Sequence, residues 1–316
     1  MLGKLISEDV ISSENAVGLD FRPVCQEDIP AIYRILSANP RRTCDYTIGG
    51  IYMWADYFRY EYCVYRDTLF IKGVAENDVS QTAFSCPVGA MPLRGAVDMI
   101  LRYCRRRGLR PVFSAVPEEC AGVIAETTGG IPEPLDDWAD YVYDAASLAS
   151  LSGKAYSKKR NHVNRFMLDN PGYVFEELSQ ANMADVAMFF DSMSRPFDDD
   201  SELAAYERAQ CAAVLADYDR YPFEGAVLRD GSGRVVAFTV GEVIGDTLFV
   251  HIEKMNHDVD GAGETVNRLF ADMMLSRHSG LRYINREEDV GDPGLRRAKE
   301  SYRPLEKLRK FNVAVY

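Results

Sequence analysis

Apolar positions along the chain switch between a period of two and a helical period, and the switching repeats one order of elements twice: strand, helix, strands, helix, strand, helix. In the first stretch, residues 19–24 read as a strand. Residues 26–37 read as a helix with Ile29, Ile32, Tyr33 and Leu36 on one face. Strand segments follow at 62–65, at 68–74 across an Arg66-Asp67 turn, and at 82–86. Pro92 opens a helix that Gly108 stops, 111–116 is a short strand and 118–128 a further helix. In the second stretch, 173–178 is a strand, with helices at 181–193 and 201–218 after it. The runs 226–229, 235–244 and 247–255 form an antiparallel meander, because Asp230-Gly231-Ser232-Gly233 and Gly245-Asp246 are turn signals between β-rich segments. A helix at 264–276, a strand at 282–285, a helix at 293–302 and a strand at 308–315 complete it.

A meander, a crossover helix, a strand, a helix and a strand is the order of the Gcn5-related N-acyltransferase fold. The expected class is therefore α/β (α+β): two tandem acyltransferase-like domains with mixed, mainly antiparallel sheets flanked by helices. Residues 1–147 make the first, 148–172 a largely helical connector, and 173–316 the second, which carries the expected active site.

Composition narrows the class of protein. The 316 residues, 47% hydrophobic and 27% charged, suffice for a core that needs no staples. The start lacks a leader pattern, and no apolar run approaches the length of a membrane span, so a cytoplasmic protein with no transmembrane segment is expected. Seven scattered cysteines without a C-x-x-C pair suggest buried reduced thiols, with neither disulfides nor a metal site. The balance of 36 basic and 48 acidic residues argues against coating nucleic acid over the whole surface, while leaving room for a local basic groove.

One such groove is suggested by Lys154–Arg165, written KAYSKKRNHVNR, with five Lys or Arg and no acid. On a helix Lys158, Asn161, His162 and Arg165 share a face suited to phosphates, as on a tRNA or a lipid head group; a merely solvated basic face fits the same pattern. A second stretch, 283–303, brings Asn285, Arg286, Glu287, Glu288 and Asp289 to the carboxyl end of a strand. The helix after it shows Arg296, Lys299 and Arg303 along one stripe. Carboxylates there can accept a proton from an amine nucleophile while the stripe holds an anionic donor, or they can serve only as helix-start acids. Gly261 and Gly263, in Asp258-Val-Asp-Gly-Ala-Gly263, could cradle a pyrophosphate, but Asp258 and Asp260 would repel it and a plain turn accounts for the motif. His251 and Glu253 are further candidate bases on one strand face, though a lone His there is commonly a satisfied core residue. Asp198-Asp199-Asp200 reads as helix capping in preference to a metal site. Trp54, Tyr57, Phe58 and Tyr60 read as core or as a pocket wall.

The segments GKAYSKKRNHVNRF (153–166) and YINREEDVGDPGLRRAKESYRP (283–304) together resemble a family of bacterial proteins carrying the C-terminal catalytic domain of phosphatidylglycerol lysyltransferases, over most of the chain from about Phe21. The resemblance implies a tandem Gcn5-related fold and an aminoacyl or acyl transfer; the membrane lysyltransferases use lysyl-tRNA as donor and a lipid as acceptor. It places Lys158, Lys159, Arg160 and Arg165 toward the donor or a phosphate, and Asn285, Arg286, Glu287 and Asp289 in the strand-end motif. Tyr302 falls where many Gcn5-related enzymes keep a general-acid tyrosine. The coenzyme A signature would fall on 258–263, where both glycines stand but Asp258 replaces the basic or amide residue.

The expectation is a transferase moving an aminoacyl or acyl group from an aminoacyl-tRNA or acyl thioester to an amine or hydroxyl acceptor, a small molecule or a lipid head group. Glu287 or Glu288 is the base and Tyr302 the acid. Arg286, Arg296, Lys299 and the basic helix hold the donor. Two rivals stand beside it: an acyl-coenzyme A-dependent N-acetyltransferase of a small amine, with the pyrophosphate on Gly261 and Gly263, and a non-catalytic binding module that keeps the fold.

Overall fold

The computed structural model describes residues 18–75, 78–193 and 202–315; the Asp198-Asp199-Asp200 run lies outside them. Strands β1 (Arg22–Pro23), β2 (Glu61–Tyr65), β3 (Thr68–Ala75), β4 (Asp78–Phe84), β5 (Val88–Gly89), β6 (Val112–Pro117), β7 (Pro132–Pro134) and β8 (Asp140–Asp144) come in the first half of the chain. Helices α1 (Ile29–Ala38), α2 (Ile48–Tyr52), α3 (Leu93–Arg107), α4 (Glu118–Thr128) and α5 (Ala145–Ser150) lie among and just after them. The second half gives α6 (Ser157–Asp169), β9 (Val174–Glu177), α7 (Met183–Met193), α8 (Glu202–Ala216), β10 (Glu224–Arg229), β11 (Val235–Ile244) and β12 (Thr247–Met255). Then follow α9 (Ala262–Arg277), β13 (Tyr283–Asn285), α10 (Pro293–Glu300), β14 (Glu306–Leu308) and β15 (Lys310–Ala314).

These form two sheets, of eight and seven strands, mainly antiparallel and flanked by helices, the α/β (α+β) class that the element order implies. The chain divides into two compact units that are not contiguous in sequence. Within the described residues one holds 18–24, Phe58–Glu133 and 311–315, and the other holds Cys25–Tyr57 with Pro134–Lys310. This differs from a division at 147 and 173, because strand pairing is decided by partners far along the chain. The eight-stranded sheet runs β1-β2-β3-β4-β6-β15-β7 with β5 on β3, so the last strand lies between two strands of the first half. The seven-stranded sheet runs β14-β8-β13-β12-β11-β10-β9, so β8 lies between two late strands. Neither β7 nor β8 shows a clear strand signal: one is Pro-Glu-Pro and the other begins and ends on Asp.

In the first unit, α3 follows Pro92, ends on Gly108 in the left-handed region (φ 64°), and buries Ala96, Val97, Ile100, Tyr103 and Cys104. Phe21 meets Phe84 and Tyr103 edge-on at 5.8 and 5.0 Å in that core. In the second unit, α9 packs on α5 and α6, with Tyr141, Tyr143, Leu248, Phe270, Met274, Ile284 and Tyr302 buried together. Trp54 and Tyr57 pack on Tyr206 of α8, whereas Phe58 stacks on Tyr60 in the first unit. The cysteines are all free thiols; Cys25 is exposed, against the expectation of burial, and the other six are buried. No helix among the described residues is long and apolar enough to cross a membrane.

One buried ammonium ties the second unit together. Lys310 is completely buried, and its Nζ lies 2.6 Å from Glu288 Oε1, 2.7 Å from Asp140 Oδ1, 2.8 Å from Asp45 Oδ2 and 3.5 Å from Cys44 Sγ. Asp140 Oδ2 also accepts from the Cys44 N–H and from Asn285 Nδ2, each at 2.7 Å. Residues 44–46, β8, the loop after β13 and the start of β15 thus converge on one charge. Removing that charge would strand the carboxylates away from water, so Lys310→Met should cost about 3–5 kcal/mol, read as a lowered midpoint in urea unfolding.

A second constraint explains a glycine. Gly261 precedes α9 at φ 77°, and a Cβ there would come within 2.2 Å of the His162 carbonyl oxygen of α6. Gly261→Ala should therefore destabilise by at least about 1–2 kcal/mol from the left-handed backbone alone, with more from the displaced helix. The same urea experiment measures it.

Candidate active site

The site lies where two parallel strands part. β13 pairs with β12 only through Thr247↔Tyr283, Leu248↔Ile284 and Phe249↔Asn285, after which β12 runs on to Met255 without it. Side chains bridge the gap that backbone pairing leaves. His251 Nδ1 meets Glu287 Oε1 at 2.7 Å, and Arg286 Nη2 donates to Glu253 Oε1 at 2.6 Å. The β12 register slips against β11 between Val240 and Gly241, which frees His251 from the strict pairing of its neighbours.

Glu287 sits in the left-handed region at φ 58°, a conformation costing a non-glycine residue about 1–2 kcal/mol. Three contacts fix it there. Its N–H donates to Asn285 Oδ1 at 2.7 Å, its carbonyl accepts from the Tyr141 N–H at 3.2 Å, and its carboxylate holds the imidazole. The other ring nitrogen, Nε2, lies 3.0 Å from Glu242 Oε1, which also accepts the Gly49 N–H at 2.8 Å. Gly49 leaves room for this: a Cβ there would fall 2.4 Å from the ring. The His251 side chain is 1% exposed and that of Glu242 fully buried, whereas 23% of the Glu287 side chain is exposed. Burial alone would lower the His251 pKa, but the bonds to Glu242 and Glu287 outweigh it and raise it to about 9. Burial pushes the Glu287 carboxyl above its usual range, against the opposing pull of His251.

Its neighbour Glu288 behaves oppositely. Burial opposes its ionisation, but the Lys310 ammonium and the hydrogen bonds around it hold its carboxyl below the usual range. Of the two predicted bases, therefore, Glu287 has the raised proton affinity and the solvent-facing edge, and Glu288 is committed to the buried charge cluster. Cys44, Asp140 and Glu288 could converge on a metal ion, yet the Lys310 ammonium already stands among those atoms.

A run of stacked and paired groups leads from the strand end to the basic helix. Tyr302, 5% exposed, has the Arg286 guanidinium 4.8 Å and the Lys159 ammonium 3.9 Å from its ring centre. Burial pushes its phenol up, with Arg286 opposing, so it holds its proton. Lys159 also pairs with Glu264 at 3.2 Å, and Glu253 accepts from Asn267 Nδ2 at 3.1 Å. Arg286 Nη1 and Asn267 Oδ1 are buried without a hydrogen-bond partner among the described residues.

The other predicted residues separate into exposed and structural ones. Lys158, Asn161, His162 and Arg165 are exposed along one stretch of α6, as the helical spacing predicts, with Arg165 paired to Asp169. Arg160 turns back to the carbonyls of Leu151 and Gly153, where α5 ends. The Asn285 amide is taken up by Arg42 O, Asp140 and Glu287 N. Asp289 accepts a two-pronged bond from Arg296 at 2.7 and 2.9 Å, along with bonds from Tyr141 and Gly291; these contacts, Arg296 foremost, hold its carboxyl well below the usual range. Lys299 donates to the carbonyls of Arg286 and Glu288, clamping the loop, and burial lowers its pKa. A Cβ at Gly263 would press on Met255 at 2.9 Å, so both glycines of the predicted pyrophosphate cradle serve packing around α9. Sequence reasoning passed over Glu242, Asp140, Asp45 and Lys310. Their signal is a lone charge within or beside an apolar run, as in Val-Gly-Glu-Val-Ile and Arg-Lys-Phe-Asn-Val.

A family model described as phosphatidylglycerol lysyltransferase, C-terminal, matches residues 37–314. Among solved structures, a conserved protein of unknown function from Bacteroides thetaiotaomicron is similar at 27% identity and a TM-score of 0.85, covering 94% of this chain and all of that one (100%). The L-PGS of Bacillus licheniformis shares the fold at 14% identity and a TM-score of 0.63, over 94% of this chain and 93% of that one. FemX shares it at 10% identity and 0.57, over 93% and 97%. A comparison with curated proteins found no match. The matched residues take in both motif segments and every group of the strand-end site, and the chain belongs to the phosphatidylglycerol lysyltransferase C-terminal family.

Proposed function

We propose that this protein is a cytoplasmic transferase that moves an aminoacyl or acyl group from an activated donor, an aminoacyl-tRNA or an acyl thioester, to the amine or hydroxyl of an acceptor. The acceptor is a small molecule or a lipid head group. Family membership supports aminoacyl transfer as the class. The observation that carries the mechanism is Glu287: left-handed, fixed on three sides, partly exposed and raised in proton affinity, it is a carboxylate built to take a proton. In this reading Glu287 removes the proton from the acceptor as it attacks the donor carbonyl, and Tyr302 returns one to the leaving group. Arg286, with a buried N–H unspent, offers a donor toward the charge that develops on the carbonyl oxygen. The exposed residues of α6 meet the phosphates of the donor. The aminoacyl-tRNA donor is favoured over coenzyme A because α6 backbone fills the space beside Gly261. A non-catalytic module would have no use for a strained, partly exposed carboxylate.

Transfer from a panel of radiolabelled aminoacyl-tRNAs and acetyl-coenzyme A to amine acceptors and phosphatidylglycerol vesicles tests the reading. Glu287→Gln should lower turnover by at least about 100-fold with the fold retained, whereas Glu288→Gln should chiefly lower stability. Full activity in Glu287→Gln would remove it from the chemistry. The base works deprotonated, so turnover should fall as pH drops through a limb above the ordinary glutamate value of 4.5.

Binding tests the other half. Replacing Lys158 and Arg165 by Ala should weaken tRNA binding and flatten its salt dependence by a slope of about one for each phosphate left without its cation. Lys159→Ala and Arg160→Ala, whose side chains turn inward, should instead reduce stability. Saturable binding of acetyl-coenzyme A with no tRNA signal would transfer the weight to the coenzyme A reading.

A further inference from the structure

Glu287 does not stand alone, and the groups behind it have no part in the chemistry just described. Glu242 reaches from β11 and His251 from β12, and both are buried. An imidazole between two carboxylates must satisfy both with protons, because ionised carboxylates only accept. Glu242 Oε1 also accepts the Gly49 N–H at 2.8 Å, and with Glu242 ionised the contact at 3.0 Å is a bond donated by the His251 Nε2–H. The remaining contact, Nδ1 to Glu287 at 2.7 Å, then holds one proton between ring and carboxylate.

We propose that Glu242 and His251 are positioning residues for Glu287: His251, anchored at Nε2 by Glu242, hands its Nδ1–H to Glu287, and the Glu242 charge offsets that of the imidazolium so that Glu287 keeps its affinity for a proton. The inference rests on the reading of Glu287 as the proton acceptor. With both carboxylates ionised and the ring protonated, the three groups, of which only Glu287 meets solvent, carry one net negative charge; accepting a single proton at Glu287 brings them to neutrality. An imidazolium paired with Glu287 alone would be neutral already, and a further proton would cost a buried positive charge. Glu242 thus sets the proton affinity of a group it does not touch.

The surroundings are consistent with this charge balance. The charged groups facing the pair are Glu242 from β11, Glu288 from the same loop as Glu287, and Lys299 from α10, whose ammonium pulls weakly against the raised Glu287. On the α8 side stands the Cys211 thiol, pushed up to about 12 by burial and so uncharged. The Phe223 ring lies 5.5 Å from the imidazole, a neighbour that accommodates a charged ring.

The test is an NMR titration of the full chain that needs no substrate, with ¹⁵N-labelled histidine and ¹³C-carboxyl-labelled glutamate. In the unsubstituted protein both ring nitrogens of His251 should read as protonated through pH 8. In Glu242→Gln the His251 midpoint and the Glu287 midpoint should both fall by at least one pH unit, and a role confined to packing would leave the Glu287 midpoint in place. Should that variant unfold, Glu242→Asp, which withdraws the carboxylate by one methylene, should lower both midpoints in the same direction. A His251 midpoint near 6.5 in the unsubstituted protein, or an unmoved Glu287 midpoint in the folded variant, overturns the proposal. Failure of the proton-acceptor reading shows differently, as full transfer activity in Glu287→Gln whatever the titration gives.

Discussion

A single buried lysine ammonium sets the terms for the second unit. Placing Lys310 out of water is unfavourable unless carboxylates meet it, and those carboxylates are held by segments that the chain supplies from residues 44–46, from β8 and from the loop after β13. Hydrophobic packing brings elements together but does not specify their register. A charge that tolerates only one arrangement of partners does, and here it fixes the loop on which Glu287 stands. The neighbouring Glu288 is spent on that task, which leaves two adjacent glutamates with opposite shifts in proton affinity.

The parting of β12 and β13 is the second organising fact. Two strands that stop pairing leave backbone groups without a ladder partner, and this chain spans the gap with ionic side chains in place of backbone bonds. The result is a polar cluster at the end of a sheet, in which the imidazole pairs with its two carboxylates and Arg286 with Glu253 and the Tyr302 ring. Low-dielectric surroundings strengthen each of these pairs, and they also make every unsatisfied atom costly, so the unspent Arg286 N–H is energetically poised for a partner.

Much of the second sheet was legible in the chain because its signals are local. The meander strands Val235–Ile244 and Thr247–Met255 announce themselves by β-rich runs broken at Gly245-Asp246, and α10 begins at Pro293, where the sequence places its start. The cluster at 285–289 was visible as charge crowded at a strand end. What stayed hidden depends on distant partners. β8 is a strand only because β13 and β14 flank it, and α2 is a short helix opened by the Thr47 hydroxyl, too brief for a period to show. Glu242 and Lys310 give no local signal of a role, because their counterparts come from distant segments, and the glycine pair at 261 and 263, which reads as a turn or a pyrophosphate cradle, packs against α6 and Met255.

The position of the last strand bears on how the chain is made. β15 lies between β6 and β7, so the eight-stranded sheet lacks an interior strand until residues 310–314 have been synthesised. The first sheet therefore cannot close until synthesis has passed these residues, and until then β6 offers an unpaired edge. The same short segment begins with Lys310, so closing the first sheet and neutralising the buried carboxylates of the second unit happen with the arrival of the same few residues.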